Sequence, residues 1–205
     1  MSKGTLYIVT APSGCGKGTI LSQAIEKHGF NLSISATTRA PREGERDGVN
    51  YFFKTREEFE EMISQNAFLE YAEFCGNLYG TPKDYVESLL SEGKDVLLEI
   101  EVQGAMNVIE MVPEAVSIFI LPPSVSELKR RLLKRATEDI ETVEQRVSQA
   151  KREISFAKHF DFVIVNEDLD DAIRDFDLCV MAAKFLNKSH RQEIEDKILE
   201  VLENE

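Results

Sequence analysis

Cysteine, histidine and tryptophan are scarce in this sequence, which has three cysteines, three histidines and no tryptophan among its 205 residues. The cysteines, Cys15, Cys75 and Cys179, are odd in number and scattered, and no Cys-x-x-Cys pair occurs. This spacing supports neither a disulfide framework nor a zinc site, and the histidines match no catalytic pattern. A reducing compartment, the cytoplasm, is therefore the simplest setting for the chain.

Basic residues and long apolar runs are also few. The chain has 24 lysines and arginines against 37 aspartates and glutamates, which gives a net charge of -13. Such an acidic chain is a poor candidate for binding nucleic acid or an anionic membrane surface, and we expect neither partner. The first apolar run is too short for a signal peptide or a membrane span. The length and the hydrophobic fraction of 42% suit one domain with a sizeable core.

The most informative stretch is a glycine-rich turn near the start of the chain. An apolar β-type run at residues 6–10 precedes it, and a helical pattern at residues 20–25 follows it. In this context the glycines let backbone N–H groups converge on phosphate oxygens, and the helix adds the positive end of its dipole. A lysine can reach a β- or γ-phosphate, and a hydroxyl can help to hold Mg²⁺. The sequence therefore predicts a phosphate-binding loop formed by Ala11, Pro12, Ser13, Gly14, Cys15, Gly16, Lys17, Gly18 and Thr19.

Two positions of this loop differ from the strict phosphate-loop pattern. Ala11 stands where the first glycine belongs, and Gly18 stands where the hydroxyl after Lys17 belongs. Thr19 comes one position later, so a metal contact would be made by Thr19 or through a water. The order Gly-Lys-Gly-Thr resembles the loop of adenylate kinases and related nucleoside monophosphate kinases. We expect Cys15 to be a tolerated small residue of the loop rather than a redox-sensitive one.

Five short apolar runs alternate with helical patterns along the chain. The runs lie at residues 6–10, 30–35, 96–100, 116–121 and 162–165. This alternation predicts an α/β fold with a parallel five-stranded sheet and helices on both faces. Ligands of such folds bind beyond the carboxyl ends of the strands, where the phosphate loop lies.

Local signals predict the ends of several helices and one insertion. Thr55 with Glu58 and Ser124 with Glu127 are typical of capping boxes, and Pro82 is typical of a first helical position. We expect a break at residues 137–140 and a terminal helix at residues 194–202. Residues 37–90 are predicted to form a small α+β insertion, and residues 1–36 and 91–205 to form the core domain.

A second polar constellation lies within and beside this insertion. Arg39 and Arg42 stand close together in an otherwise acidic chain, and the paired donors of guanidinium groups match the oxygens of a phosphate monoester. Tyr51 and Tyr79 could donate hydroxyls to the same group. Taken alone, these residues would be interpreted as a solvated loop with ordinary arginines.

Their order and spacing, however, resemble the GMP-binding region of guanylate kinases, which transfer the γ-phosphoryl group of ATP to GMP. The matching segments are Ser-x-Thr-Thr-Arg-x-x-Arg from Ser35, Phe-Leu-Glu at residues 68–70 and Gly-Asn-x-Tyr-Gly-Thr at residues 76–81. The similarity runs from the phosphate loop to the helix after Val165, which is nearly the whole chain. The resemblance implies a P-loop NTPase-type core, a GMP-binding insertion and a helical lid.

The resemblance also implies a role for each matching position of the GMP site. In that site the arginines and tyrosines would hold the phosphate, Glu70 would accept hydrogen bonds from guanine N1–H and the 2-amino group, and Ser35 and Thr81 would donate to O6. A carboxylate facing N1–H and the 2-amino group fits guanine, whereas adenine would present a lone pair there and no 2-amino group. The implied GMP-binding residues are Ser35, Arg39, Arg42, Tyr51, Glu70, Tyr79, Thr81 and Glu101.

Further residues are implied to act on ATP and its metal ion. The family's lid would fall at about residues 130–147, with Ala136 in place of the usual glycine, a change expected to stiffen its hinge. Glu99 and Glu101 stand where the family commonly has aspartates, with Glu99 near Mg²⁺ and the phosphates and Glu101 near the guanine. The implied ATP contacts outside the loop are Arg131, Arg135 and Asn166, the implied metal ligands are Thr19 and Glu99, and the implied catalytic residues are Lys17, Arg39, Arg135 and Arg146.

The expected function is therefore that of a guanylate kinase, with ATP and GMP as substrates and Mg²⁺ as cofactor. One alternative is a related kinase that acts on a sugar phosphate, which would give Glu70, Ser35 and Thr81 no base to bind. Another is a non-catalytic guanylate-kinase-like domain, although such domains generally lose parts of the phosphate loop and Lys17 is present here. Use of dGMP and the oligomeric state are left open.

Overall fold

The computed structural model describes residues 3–134 and 140–185. It confirms the predicted parallel sheet of five strands. In spatial order these are β2 (Asn31–Leu32), β7 (Val96–Glu99), β1 (Leu6–Thr10), β8 (Val116–Leu121) and β9 (Phe162–Val165). The central strand β1 pairs in parallel with β7 on one side and with β8 on the other.

Helices cover both faces of this sheet, as the alternation of runs predicts. Along β1, Tyr7 and Val9 enter one buried cluster, whereas Leu6 and Ile8 enter another, because successive strand residues point to opposite faces. The first cluster includes residues from α1 (Lys17–His28), α5 (Val125–Lys134), α6 (Ile140–Ile154) and α7 (Leu169–Phe185). The second includes residues from α3 (Lys83–Ser91), α4 (Val102–Met111) and the 3₁₀-helix Ala157–His159. None of the helices described here is long and apolar enough to cross a membrane.

A second, mixed sheet lies between β2 and α3 in the chain. Its order is β4 (Phe52–Phe53), β3 (Ala36–Thr37), β6 (Asn77–Pro82) and β5 (Phe68–Phe74). The helix α2 (Arg56–Ser64) begins with the predicted capping box and buries Phe59 against Phe68 and Leu78. The division into core and insertion stays a prediction. All but the last residue of α3 falls inside residues 37–90, yet this helix buries Val86 and Leu90 in the second cluster under the main sheet.

Among the predicted boundaries, two differ from the structure for a clear reason. The strand expected at residues 30–35 ends at Leu32, because the chain turns away after Ser33 N–H donates to Leu97 O and Ala36 begins the second sheet. Pro82 is the cap of α3 rather than its first residue, since its backbone is still extended as the last residue of β6.

Only one of the two hydrogen bonds of the capping box expected at Ser124 and Glu127 forms. Ser124 Oγ accepts the N–H of Glu127, but the Glu127 carboxylate is bound by the guanidinium groups of Arg130 and Arg131. The break expected at residues 137–140 lies largely outside the described residues, and α6 begins at Ile140. The terminal helix expected at residues 194–202 also lies outside them.

Candidate active site

The glycine-rich turn connects β1 to α1 and requires glycine at two positions. Gly14 and Gly16 have φ of 90° and 82°, a left-handed conformation that L side chains rarely adopt. A Cβ on Gly16 would also lie 2.5 Å from Asn166 Nδ2, and one on Gly14 would lie 2.8 Å from Leu132 Cδ2. Within the described residues, positive φ outside glycine occurs at Asn66 and Cys75, so Ala11 needs no glycine conformation. This explains why alanine is accepted at the first position of the loop.

The loop lines a cavity of about 500 Å³. All nine residues from Ala11 to Thr19 contribute, together with Glu101, Val102, Gln149 and Glu153. The Cys15 side chain itself is buried in the first core cluster, and this burial raises the pKa of its thiol to about 12. A thiol held protonated in the core is a structural residue, which agrees with the expectation for Cys15.

Lys17 extends from the first turn of α1 to the carboxyl end of β7. Its Nζ lies 3.6 Å from Glu99 Oε1 and donates to Ile100 O at 3.5 Å. The ammonium therefore lies where two parallel strands end and where the positive end of α1 begins, as a phosphate-binding lysine requires.

A second cavity, of about 550 Å³, lies between the main sheet and the insertion. Its size suits a nucleotide-sized ligand. Five of the predicted GMP-binding residues within or beside the insertion line it: Ser35, Tyr51, Glu70, Tyr79 and Thr81. The strand-end residues Glu99 and Glu101 also line it. Lys17 and Glu101 line both cavities, so the two cavities meet at these side chains.

Glu70 is the half-buried carboxylate of this second cavity. Thr81 Oγ1 donates to Glu70 Oε1 at 2.7 Å. Burial raises the pKa of Glu70, the hydrogen bond from Thr81 offsets part of that rise, and the charge of Glu101 adds to it. The carboxylate therefore has one oxygen bound by the protein, in a site with reduced access to water.

Arg39 and Arg42 are not among the residues that line either cavity. Arg39 Nη2 donates to both oxygens of Glu45, at 2.8 and 2.9 Å, and its guanidinium lies 5.3 Å from the centre of the Tyr51 ring. The Glu45 carboxylate raises the pKa of Arg39, and contact with Tyr79 adds to the effect. The Arg42 backbone N–H also donates to Glu45, at 2.7 Å, while the residue itself is exposed. Sequence reasoning assigned Glu45 no role, although its position three residues after Arg42 was a usable signal.

The predicted lid arginines lie beside the phosphate loop where the structure describes them. Arg146 Nη1 on α6 donates to Ser13 Oγ at 3.3 Å. Arg131 on α5 donates to Glu127 Oε1 at 2.8 Å and to Glu167 O at 3.4 Å, and it lines a shallow depression next to Gly14 and Gly16. Arg135 lies outside the described residues.

Asn166 follows β9 and packs against the loop backbone. Its side chain is 5% exposed, and Nδ2 donates to Cys15 O at 2.7 Å. The adenine contact expected of Asn166 stays a prediction. The contact that the structure shows, with the loop itself, was missed because it joins residues 151 positions apart.

The donors near the two cavities suit Mg²⁺. Thr19 lines the first cavity, and Glu99 and Glu101 lie at the strand end next to Lys17, so all three offer hard oxygen ligands. In the part of the chain that the structure describes, no three His, Cys, Asp or Glu side chains are grouped to hold a metal ion by themselves. Mg²⁺ in kinase sites is usually held by one or two protein ligands together with substrate phosphates, and the residues present fit that arrangement.

Comparison with known proteins covers almost the whole chain. The family model described as guanylate kinase matches residues 3–183. The chain is 52% identical over 182 residues to a guanylate kinase of Thermus thermophilus, which covers 89% of this chain and 82% of that protein. It is 51% identical over 173 residues to a guanylate kinase of Halalkalibacterium halodurans, which covers 83% of this chain and 84% of that protein.

A solved structure supports the same relationship. The crystal structure of guanylate kinase from Anaplasma phagocytophilum superposes with a TM-score of 0.70 at 34% identity, covering 96% of each chain. The phosphate loop at the end of the central strand, the second cavity beside it and these similarities agree, and the chain therefore belongs to the guanylate kinase family, with its P-loop NTPase fold.

Proposed function

We propose that this chain transfers the γ-phosphoryl group of ATP to GMP and releases ADP and GDP. The observation that carries this proposal is the junction of the two cavities at Lys17 and Glu101. A phosphate loop alone binds one nucleotide, whereas phosphoryl transfer needs a second site that opens onto the first. Family membership and relatives at about half identity support the same activity.

ATP would bind with its phosphates on the loop, and GMP would bind in the second cavity with its phosphate toward Lys17. Glu70 would pair with the guanine edge, and Tyr51 and Tyr79 with the phosphate. Ser35 would donate to O6, and Thr81 would do so once its hydroxyl proton turns from Glu70 Oε1, to which it donates in the free chain. Arg39 and Arg42 would also bind the phosphate of GMP, next to the tyrosines, since the Arg39 guanidinium already lies over the Tyr51 ring. The oxygen of GMP that attacks is already anionic, so the reaction requires no general base.

Lys17, Arg146 and Arg135 would stabilise the charge that spreads over the transferred phosphoryl group. Arg146 is already placed at the loop by its contact with Ser13. Thr19 and Glu99 would hold Mg²⁺, directly or through water, and the ion would neutralise charge on the phosphate oxygens. Asn166 and Arg131 would contribute on the ATP side, through the loop backbone and the depression beside it.

A two-substrate mimic tests this arrangement without turnover. Adenosine–guanosine pentaphosphate should bind more tightly than either ATP or GMP, because it fills both cavities in one event. The control is the adenosine–adenosine pentaphosphate, whose second base cannot satisfy Glu70. Equal affinity for the two compounds in titration calorimetry would overturn the assignment of the second cavity to guanine.

The two alternatives lack a supporting observation. A sugar phosphate would leave the half-buried Glu70 carboxylate with only its Thr81 partner. A non-catalytic binding domain would not require the glycine-rich loop and the placement of Lys17 at the junction of two cavities.

A further inference from the structure

We propose that Gly104 is a positioning residue for guanine recognition, because its missing side chain leaves the space that the Glu70 carboxylate occupies. The inference rests on the proposed function and adds to it a determinant that is not among the predicted GMP-binding residues, although Gly104 also lines the second cavity. Three features of the structure carry it: a bulge in β5, the contact between Glu70 and α4, and the conformation of Gly104.

The bulge in β5 directs Glu70 toward α4. Phe68 pairs with Pro82 and Glu70 pairs with Thr81, which are adjacent on β6. Leu69 is therefore an extra residue of β5 that has no partner on β6. Phe68 is buried in the small core of the insertion, whereas Leu69 is buried in the cluster under the main sheet. The two residues before Glu70 are thus fixed by packing in different cores. β-Bulges near functional sites commonly redirect a side chain in this way.

Glu70 then lies directly against the first turn of α4. A Cβ built on Gly104 would be 2.8 Å from Glu70 Oε2, 3.3 Å from Cδ and 3.4 Å from Cγ. The other carboxylate oxygen, Oε1, is held by Thr81 Oγ1 at 2.7 Å. Any side chain at position 104 would therefore displace a carboxylate that is restrained from the opposite side.

The glycine at position 104 is not required by the backbone. It lies within α4, and it is not among the glycines with positive φ. Alanine is the better helix former at such a position. A Cβ on Gly18, the other glycine inside a described helix, would have no neighbour within 4 Å, whereas one on Gly104 would meet three atoms of one functional side chain. What glycine provides at position 104 is space for Glu70.

Displacement of the Glu70 carboxylate would weaken the preference for GMP over inosine monophosphate more than any other preference among substrates. Guanine and hypoxanthine both carry N1–H and O6, but only guanine has the 2-amino group that needs the second carboxylate oxygen. An enzyme with a displaced Glu70 would therefore lose more activity on GMP than on inosine monophosphate. Binding of ATP, which lies in the other cavity, would be unaffected.

The test compares Gly104→Ala with the wild-type chain. We expect the ratio of kcat/KM for GMP to kcat/KM for inosine monophosphate to fall by about tenfold, the effect of one unpaired polar group in a buried site. The KM for ATP should not change, and the melting temperature should be equal or higher because alanine favours the helix. Glu110→Ala, an exposed position on the same helix, is the matched control and should leave the ratio unchanged.

A double-mutant cycle separates an action through Glu70 from a general disturbance of α4. In a Glu70→Ala background, Gly104→Ala should have no further effect on the ratio. An unchanged ratio in Gly104→Ala, or the same fall in the Glu70→Ala background, would overturn the inference while leaving the proposed function intact. If the wild-type chain does not phosphorylate GMP, the proposed function fails first, and the inference fails with it.

Discussion

Lys17 is the residue at which the two halves of the site meet. Its ammonium lies between Glu99 and the carbonyl of Ile100, and its side chain borders both cavities. The pair with Glu99 is long and partly exposed, so it contributes little to stability. The residue is therefore expected to matter for turnover far more than for folding.

Replacement of Lys17 by methionine keeps the aliphatic stem and removes the charge. We predict that turnover falls by at least about 10²-fold, because the lysine is one of the cations that stabilise the transferring phosphoryl group. The melting temperature should change little. Lys27→Met, on the exposed end of the same helix, is the control and should retain full turnover. A near-normal rate for Lys17→Met would contradict the role of the lysine.

Glu70 gives the site a dependence on pH. Its pKa is raised by burial, so its carboxylate becomes protonated at a higher pH than that of an exposed glutamate, whose pKa is about 4.3. Protonation replaces an acceptor by a donor facing guanine N1–H. We predict that the preference for GMP over inosine monophosphate falls on acidification, with a midpoint above the ordinary glutamate range.

The ratio of the two substrates is the appropriate measurement, because the titration of the phosphate group is common to both and cancels. Glu70→Gln, which cannot titrate, should show a low ratio that is independent of pH. If that variant followed the same pH profile as the wild-type chain, Glu70 would not be the titrating group.

At the scale of elements, the backbone of the phosphate loop is held by a residue that follows the distant strand β9. Asn166, just after β9, donates to the carbonyl of Cys15 and leaves room only for glycine at position 16. Asn166→Ala should therefore lower stability by about 1–3 kcal/mol, because it leaves a buried carbonyl unpaired, and it should raise the KM for ATP more than the KM for GMP.

The matched control for this variant is Asn77→Ala. Asn77 makes the same type of bond, from its side-chain amide to the carbonyl of Cys75, in an exposed hairpin. It should change neither stability nor the KM for ATP. Thermal unfolding without ligand is decisive, since a residue that only contacted adenine would leave the melting temperature unchanged.

Much of the element order could be predicted because it follows from local pattern. The strands β1 and β8 have the predicted bounds, and the capping box at Thr55 and Glu58 forms as expected. The errors arise where a distant partner decides the outcome. The edge strand β2 ends early because the chain departs for the second sheet, and Glu127 is taken by Arg130 and Arg131 rather than by the start of its helix.

The same limit applies to the site. The spacing of the loop predicted nine residues that line the first cavity, and the resemblance of the insertion motifs implied residues of which some line the second, whereas Arg39 and Arg42 line neither. It could not show that Glu45 holds Arg39, that Asn166 supports the loop, or that Gly104 adjoins Glu70. Each of these contacts depends on how separate segments meet in three dimensions.

At the scale of the whole molecule, an acidic chain has to bind two anionic substrates. The net charge is -13, yet Lys17 and Arg146 lie at the phosphate loop, and Arg39 lies beside the second cavity. These cations lie where the phosphates would meet, and Lys17 and Arg39 are each paired with a carboxylate, of Glu99 and Glu45.

The most direct test of this arrangement is a coupled ADP-release assay with ATP and Mg²⁺, in which GMP, AMP, UMP and CMP are offered separately. The phosphate loop, the junction at Lys17 and the Glu70 carboxylate together predict strong turnover with GMP and little with the other three. Turnover with AMP or UMP in place of GMP would contradict the assignment of the second cavity to guanine. No turnover with any of the four, in a folded protein, would contradict phosphoryl transfer to a nucleoside monophosphate altogether.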